Sequence, residues 1–319
     1  MSRRQPDVPA LVEAARAGQP RAVARLITLV ENADPALREV MERLAPYTGN
    51  AHIIGLTGSP GVGKSTTTSA LVGAMRARGL RVGVLAVDPS SPFSGGALLG
   101  DRIRLIDHAL DDGVYMRSMA SRGHLGGLSW ATPQALRVLD AAGCDVIFLE
   151  TVGVGQSEVE VAALADTTMV LLAPGMGDGI QAAKAGILEI GDVFVVNKAD
   201  RDGVDVTMRD IRGMISLGER KEAGQWRPPV EKLVAEKGDG LADVVAALDK
   251  HWEWLQETGT LQQRRERRAA EEIEAIAVRT LRMRMGTLDG AGDLAALAEA
   301  VVAGEQDPYT AADRIVEHL

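Results

Sequence analysis

Cysteine is nearly missing from this 319-residue chain, occurring once, at Cys144. A single thiol excludes an internal disulfide. His52, His108, His124, His251 and His318 are scattered, so no Cys/His cluster has the spacing of a metal site. Cys144 borders an apolar run, which suits an inert buried thiol better than a reactive one. Aromatic residues make up 3% of the chain, leaving Leu, Val, Ile, Ala and Met to fill the core. No apolar run approaches the ~20 residues of a membrane span. The first residues lack the continuous apolar centre of a secretory signal, so the cytoplasm is the expected location and no membrane partner is expected. Positive charge is also in deficit. A net charge of −9 offers no broad basic field to a phosphate backbone, so nucleic acid is not an expected partner.

What is present falls into three regions. Residues 1–49 carry apolar side chains at helical spacing, including Leu11, Ala14, Val23, Leu26, Ile27, Val30, Leu37, Val40 and Leu44. Gly18-Gln19-Pro20 and Asp34-Pro35 punctuate that stretch as helix breaks. Residues 50–258 alternate short apolar runs (53–56, 82–87, 114–116, 146–149, 169–172 and 193–196) with longer segments able to hold crossover helices. Continuous apolar runs bounded by Gly, Asp or Asn suit strands buried on both faces. The expected fold is therefore α/β, a mostly parallel central sheet flanked by helices. Residues 259–319 open on the polar, basic stretch 262–268 and continue as a helical extension with a stripe of Ile273, Ile276, Ala277, Leu281 and Met285.

Immediately after the first apolar run stand Gly58-Ser59-Pro60-Gly61-Val62-Gly63-Lys64-Ser65, then Thr66. This fits G-x-x-x-x-G-K-[ST] between a strand and a helix, the phosphate loop of P-loop NTPases. The chemistry needs that order. Glycines let successive backbone N–H groups turn inward around phosphate oxygens, and the helix N-terminus adds partial positive charge. Lys64 reaches the β- and γ-phosphates, and the Ser65 hydroxyl suits Mg²⁺.

Downstream, Asn197-Lys198-Ala199-Asp200 follows the apolar run 193–196 and fits N-K-x-D. The carboxylate of Asp200 can accept from the ring N1–H and the exocyclic amino group of guanine. Adenine lacks that donor pair, so GTP or GDP is the expected ligand. Asn197 would brace the loop, and the stem of Lys198 would cover the base. Ala235 and Glu236, in the segment 233–238, are candidates for a further base contact, chiefly through backbone.

Glu150-Thr151-Val152-Gly153 occupies the place of the D-x-x-G of ordinary GTPases, with the acid lengthened by a methylene. Asp88 ends the run 82–87, and Asp101 follows Gly100. Mg²⁺ usually takes one or two carboxylates together with phosphate and water. Ser65, Asp88, Asp101 and Glu150 are therefore more candidates than a metal requires, and at least one acid should orient water. Gln156 is a candidate for the same task. Arg102, Arg104, Arg117 and Arg122 are the arginines in range of a finger role, none privileged over the others.

Taken together, these motifs resemble the GTPase chaperones of methylmalonyl-CoA mutase, the MeaB/MMAA type. The resemblance rests on residues 57–66, 87–91, 95–102, 117–128, 150–158 and 197–200, and extends over roughly residues 10–319. It implies a P-loop GTPase that protects an adenosylcobalamin-dependent acyl-CoA mutase and gates its cofactor loading, alongside an adenosyltransferase. It implies a homodimer formed through the C-terminal helices. It implies, too, a switch segment around residues 174–184, with Gln181 and Lys184 as communicating side chains beside Gly153. Two rivals remain. A nickel-inserting chaperone of the same branch needs a Cys or His relay. A transport-linked ATPase or kinase needs adenine selectivity, against which Asn197 and Asp200 speak.

Overall fold

The computed structural model describes residues 6–88, 108, 110–120, 131–151, 157–175, 187–218, 224–287 and 291–317. These form two units, Met1–Gln262 and Gln263–Leu319.

The first unit is built on seven parallel strands: β1 His52–Thr57, β2 Val82–Asp88, β3 Val114–Ala120, β4 Val146–Thr151, β5 Thr167–Leu172, β6 Val193–Asn197 and β7 Val230–Leu233. Their order is β3-β2-β4-β1-β5-β6-β7. The six apolar runs all became strands. The seventh, Val-Glu-Lys-Leu, is an edge strand with only its end residues buried, so its composition carried too little apolar signal to be read.

Period-two alternation sorts the sheet into two faces. Val82, Val84, Val146, Phe148, Ile54, Leu56, Met169, Leu171, Val193 and Val195 point to one face. There they pack against Leu71, Val72 and Met75 of α4 (Lys64–Ala77) and Val244, Ala247 and Leu248 of α9 (Leu241–Glu257). On the other face, Leu85, Val87, Tyr115, Met119, Ile147 and Leu149 meet α5 (Thr132–Ala141) and three N-terminal helices. Those are α1 (Val8–Arg16), α2 (Pro20–Glu31) and α3 (Leu37–Leu44). Val170, Leu172, Phe194 and Val196 bury against Met208 and Ile211 of α8 (Val204–Gly218). The short helices α6 (Ser157–Leu164) and α7 (Ile187–Ile190) complete the crossovers.

Alternation has a consequence for the site. Glu150 follows Phe148 by two residues and Asn197 follows Val195 by two. Both therefore project from the carboxyl ends of their strands on the α4 side.

The N-terminal helices are not an appendage. Leu26, Ile27, Val30, Val40 and Leu44 belong to the same buried cluster as Leu139 and Met119. Polar ties hold them in register. The Tyr115 hydroxyl donates to the Gly18 carbonyl at 2.7 Å. Arg117 pairs with Glu31 and donates to Thr28 Oγ1 at 3.3 Å. The Asp140 carboxylate accepts from the amides of Gly49, Asn50 and Ala51 just before β1.

The second unit continues α10 (Thr260–Thr287) and adds α11 (Ala291–Val302) and α12 (Pro308–Glu317). Asp307 caps α12 by accepting from the amides of Tyr309 and Thr310. No described helix is long and apolar enough to cross a membrane.

Candidate nucleotide site

The loop from β1 into α4 is built on three left-handed or extended glycines, with φ of 142° at Gly58, 79° at Gly61 and 95° at Gly63. Close approach fixes two of them. A Cβ on Gly58 would meet the Leu171 carbonyl at 2.3 Å, and one on Gly63 would meet Asn197 Nδ2 at 2.4 Å. The second approach is the geometry that joins the two ends of the site.

Asn197, at the end of β6, donates from Nδ2 to the Val62 carbonyl at 2.8 Å. Its Oδ1 accepts from the Ala235 amide at 3.1 Å. One amide side chain thus ties the phosphate loop to the loop after β7. Lys198 is left-handed, with φ of 58°, and its ammonium donates to the Gly61 carbonyl at 2.6 Å. The Asp200 carboxylate pairs with Lys237 at 3.0 Å. That ammonium holds the Asp200 carboxyl below its usual range, and Asp200 in turn raises Lys237.

Lys64 sits at the centre of the loop. Its Nζ donates to the Gly58 carbonyl at 2.5 Å and the Ser59 carbonyl at 3.2 Å. Ser65 Oγ donates to Glu150 Oε1 at 2.7 Å, and Thr68 Oγ1 stands 3.0 Å from Glu150 Oε2. Glu150 is only 5% exposed.

These residues surround one cavity of about 480 Å³. Pro60, Gly61, Gly63, Lys64, Ser65, Thr66, Glu150, Asn197, Lys198, Asp200, Ala235 and Glu236 all line it. Gly58, Ser59 and Val62 form the body of the loop behind that wall. Asp88 closes β2, which lies beside β4. Asp101, Gly153, Gln156, Gln181 and Lys184 lie outside the described residues.

Four residues at the site went unread in the sequence. Thr68 is one, although its position three after Ser65 puts it on the same helix face. Lys237, Val234 and Arg201 are the others, the last two lining the cavity. Val234 and Lys237 fall in the segment 233–238 already read as a candidate base contact; nothing in the sequence singled out Arg201. Elsewhere, burial pushes the Cys144 thiol up to about 12, so the lone cysteine is inert.

Oxygen donors of this kind suit Mg²⁺. The Ser65 hydroxyl and the Glu150 carboxylate converge at the start of α4, beside Lys64 and the glycine-rich loop. The donor set therefore fits the metal that nucleotide hydrolysis requires.

A seven-stranded parallel sheet with this loop at β1 and N-K-A-D at β6 defines a P-loop GTPase. The chain belongs to the family described as methylmalonyl Co-A mutase-associated GTPase MeaB, whose model matches residues 23–288. A putative GTPase of Pyrococcus abyssi is 47% identical over 97% of this chain and 96% of its own length. The GTPase ArgK of Escherichia coli is 37% identical over 80% of this chain and 79% of its own. The mitochondrial methylmalonic aciduria type A homolog of mouse is 36% identical over 71% of this chain and 59% of its own. Among solved structures, one titled LAO/AO transport system kinase aligns with a TM-score of 0.73 at 26% identity, over 100% of this chain and 99% of the other.

Proposed function

We propose that this GTPase binds GTP and GDP with Mg²⁺ in the cavity described, and uses the hydrolytic cycle to protect an adenosylcobalamin-dependent acyl-CoA mutase and gate its cofactor loading. The observation that carries the nucleotide reading is Asn197. It bonds both the phosphate loop and the base loop, so base recognition and phosphate binding share one rigid frame. The mutase reading is supported by the family description, and methylmalonyl-CoA mutase is the partner it favours. An adenosyltransferase is the second expected partner, and the cytoplasm the expected compartment.

In this reading the amides of residues 58–66 and the N-terminus of α4 hold the phosphates. Lys64 exchanges its carbonyl partners for β- and γ-phosphate oxygens and stabilises the charge that develops on the transferring group. Mg²⁺ neutralises phosphate charge when bound. Ser65 and Glu150 would hold it, with Asp88 and Asp101 as the further acids and Gln156 as the residue to orient water. Asp200 and Asn197 select guanine, with Ala235 and Glu236 at the edge of the base. Gly153, Gln181 and Lys184 communicate the nucleotide state.

Intrinsic turnover is expected to be slow. Arg117 is committed to Glu31 and Thr28, on the sheet face away from Lys64, and does not serve as an arginine finger. The transport-kinase title of the similar solved structure belongs to that protein; guanine selectivity decides between the two readings here.

Affinity for GDP should exceed that for ADP by at least about a hundredfold, because adenine lacks the N1–H and exocyclic amino donors that the Asp200 carboxylate accepts from in guanine. Equal affinities overturn the nucleotide assignment. For the partner, hydrolysis is measured with and without purified methylmalonyl-CoA mutase. An accelerated rate and a stable complex support the chaperone role. An unchanged rate with no complex rejects it.

A further inference from the structure

In ordinary GTPases the acid after the third strand is an aspartate. Here it is Glu150, one methylene longer, and its carboxylate lies along the first turn of α4. Ser65 and Thr68, spaced i and i+3, face it from that turn. Ser65 Oγ is 2.7 Å from Oε1 and Thr68 Oγ1 is 3.0 Å from Oε2, so each carboxylate oxygen meets a hydroxyl. Thr68 is fully buried. Its hydroxyl also stands 3.1 Å from the Lys64 carbonyl, one helical turn back. One proton has two acceptors within reach.

We propose that Thr68 is a positioning residue for Glu150 in GTP hydrolysis, holding the longer carboxylate in its working orientation and releasing it onto the Lys64 carbonyl when Glu150 moves. A buried hydroxyl with no second acceptor resists such a movement, because release leaves it unsatisfied. Thr68 has the second acceptor, so Glu150 can be both fixed and freed. The longer acid needs this anchor because its additional rotatable bond multiplies the orientations available to the carboxylate. The inference rests on the assignment of Glu150 to the metal and its water.

The test follows hydrolysis against Mg²⁺ concentration, together with Mg²⁺-free GDP binding, in the full chain. Thr68→Val keeps the volume and removes the hydroxyl. It should lower kcat and raise the half-saturating Mg²⁺ concentration, each by about tenfold, the scale of a hydrogen bond to a charged group. Mg²⁺-free GDP affinity should hold. Thr68→Ser should restore both values. In a Glu150→Asp background, where the shortened acid no longer reaches Thr68, Thr68→Val should add nothing. Thr68→Ala reports the same quantities if the valine variant does not fold.

Wild-type kcat and Mg²⁺ dependence in Thr68→Val, beside a Glu150→Gln variant that shifts both, overturn the positioning role alone. An equal penalty in the Glu and Asp backgrounds overturns it as well. If Glu150→Gln leaves Mg²⁺ dependence unmoved, the metal assignment of Glu150 fails and the role of Thr68 falls with it.

Discussion

Asp200 illustrates how much of this site turns on single polar atoms. Its carboxylate must be ionised to accept twice from guanine, and Lys237 beside it favours that state. The Asp200 carboxyl is held below its ordinary value in the folded protein, so guanine recognition persists as pH falls through the ordinary carboxylate range near about 4 and is lost only below it. Replacing Lys237 by Met should move the acid limb of GDP binding upward towards that value. Superimposable limbs in the two proteins, read by equilibrium binding from pH 7 downward, reject the linkage. Asp200→Asn should exchange preference from guanine to xanthine, whose C2 carbonyl accepts from the new amide, and competition between GDP and XDP reads this directly. Lys64→Ala should abolish hydrolysis, since the other described cations lining the cavity, Lys198 and Arg201, lie in and just after the N-K-A-D segment and not in the phosphate loop; unchanged phosphate release would reject Lys64 as the charge-stabilising group. The pair Asp200–Lys237 also marks the limit of sequence reading. N-K-A-D is a local word, whereas Lys237 reaches Asp200 only after β7 and its following turn bring two distant segments together.

At the level of elements, legibility followed burial. Strands sealed on both faces, such as β4 and β6, spell continuous apolar runs. Their two-residue alternation then sends Glu150 and Asn197 to the same side as α4. Edge strand β7 is half solvated and was silent in composition, yet it positions Ala235 for Asn197. The N-terminal helices were legible as helices, but their destination was not, because periodicity tells which face is apolar and not what covers it. The structure answers that α2 buries Leu26, Ile27 and Val30 in the cluster that holds α5 and β3. Leu26→Ala should therefore destabilise the whole first unit by about 2–5 kcal/mol, as a core truncation does. Urea unfolding monitored by tryptophan fluorescence, three of whose four reporters, Trp226, Trp252 and Trp254, lie far from α2 in sequence, measures it. A midpoint unchanged from wild type would mean that the N-terminal helices unfold independently of the sheet.

At the scale of the whole molecule, the second unit stands out by the apolar surface its helices leave uncovered. On α10, Ile273 is 68% exposed, with Ile276 and Leu281 about half exposed on the same helical face and Val278 at its flank. Leu294, Val302, Tyr309 and Val316 add further uncovered apolar surface in this unit. Single exposed apolar residues are ordinary, but a concentration of them on the C-terminal helices is the pattern of an interface. A second copy of the chain is the occupant that the family resemblance implies, and helices of this length can pair with their counterparts across a two-fold axis. Ile273→Asp combined with Ile276→Asp should halve the mass seen by sedimentation equilibrium, since burying two carboxylates at an apolar seam costs far more than the seam supplies. Because Ile273 and Ile276 lie outside the first unit, GDP affinity should be retained. A wild-type mass for the double variant would place the contact elsewhere. Lost GDP binding would show instead that the helices act on the cavity and not merely on association.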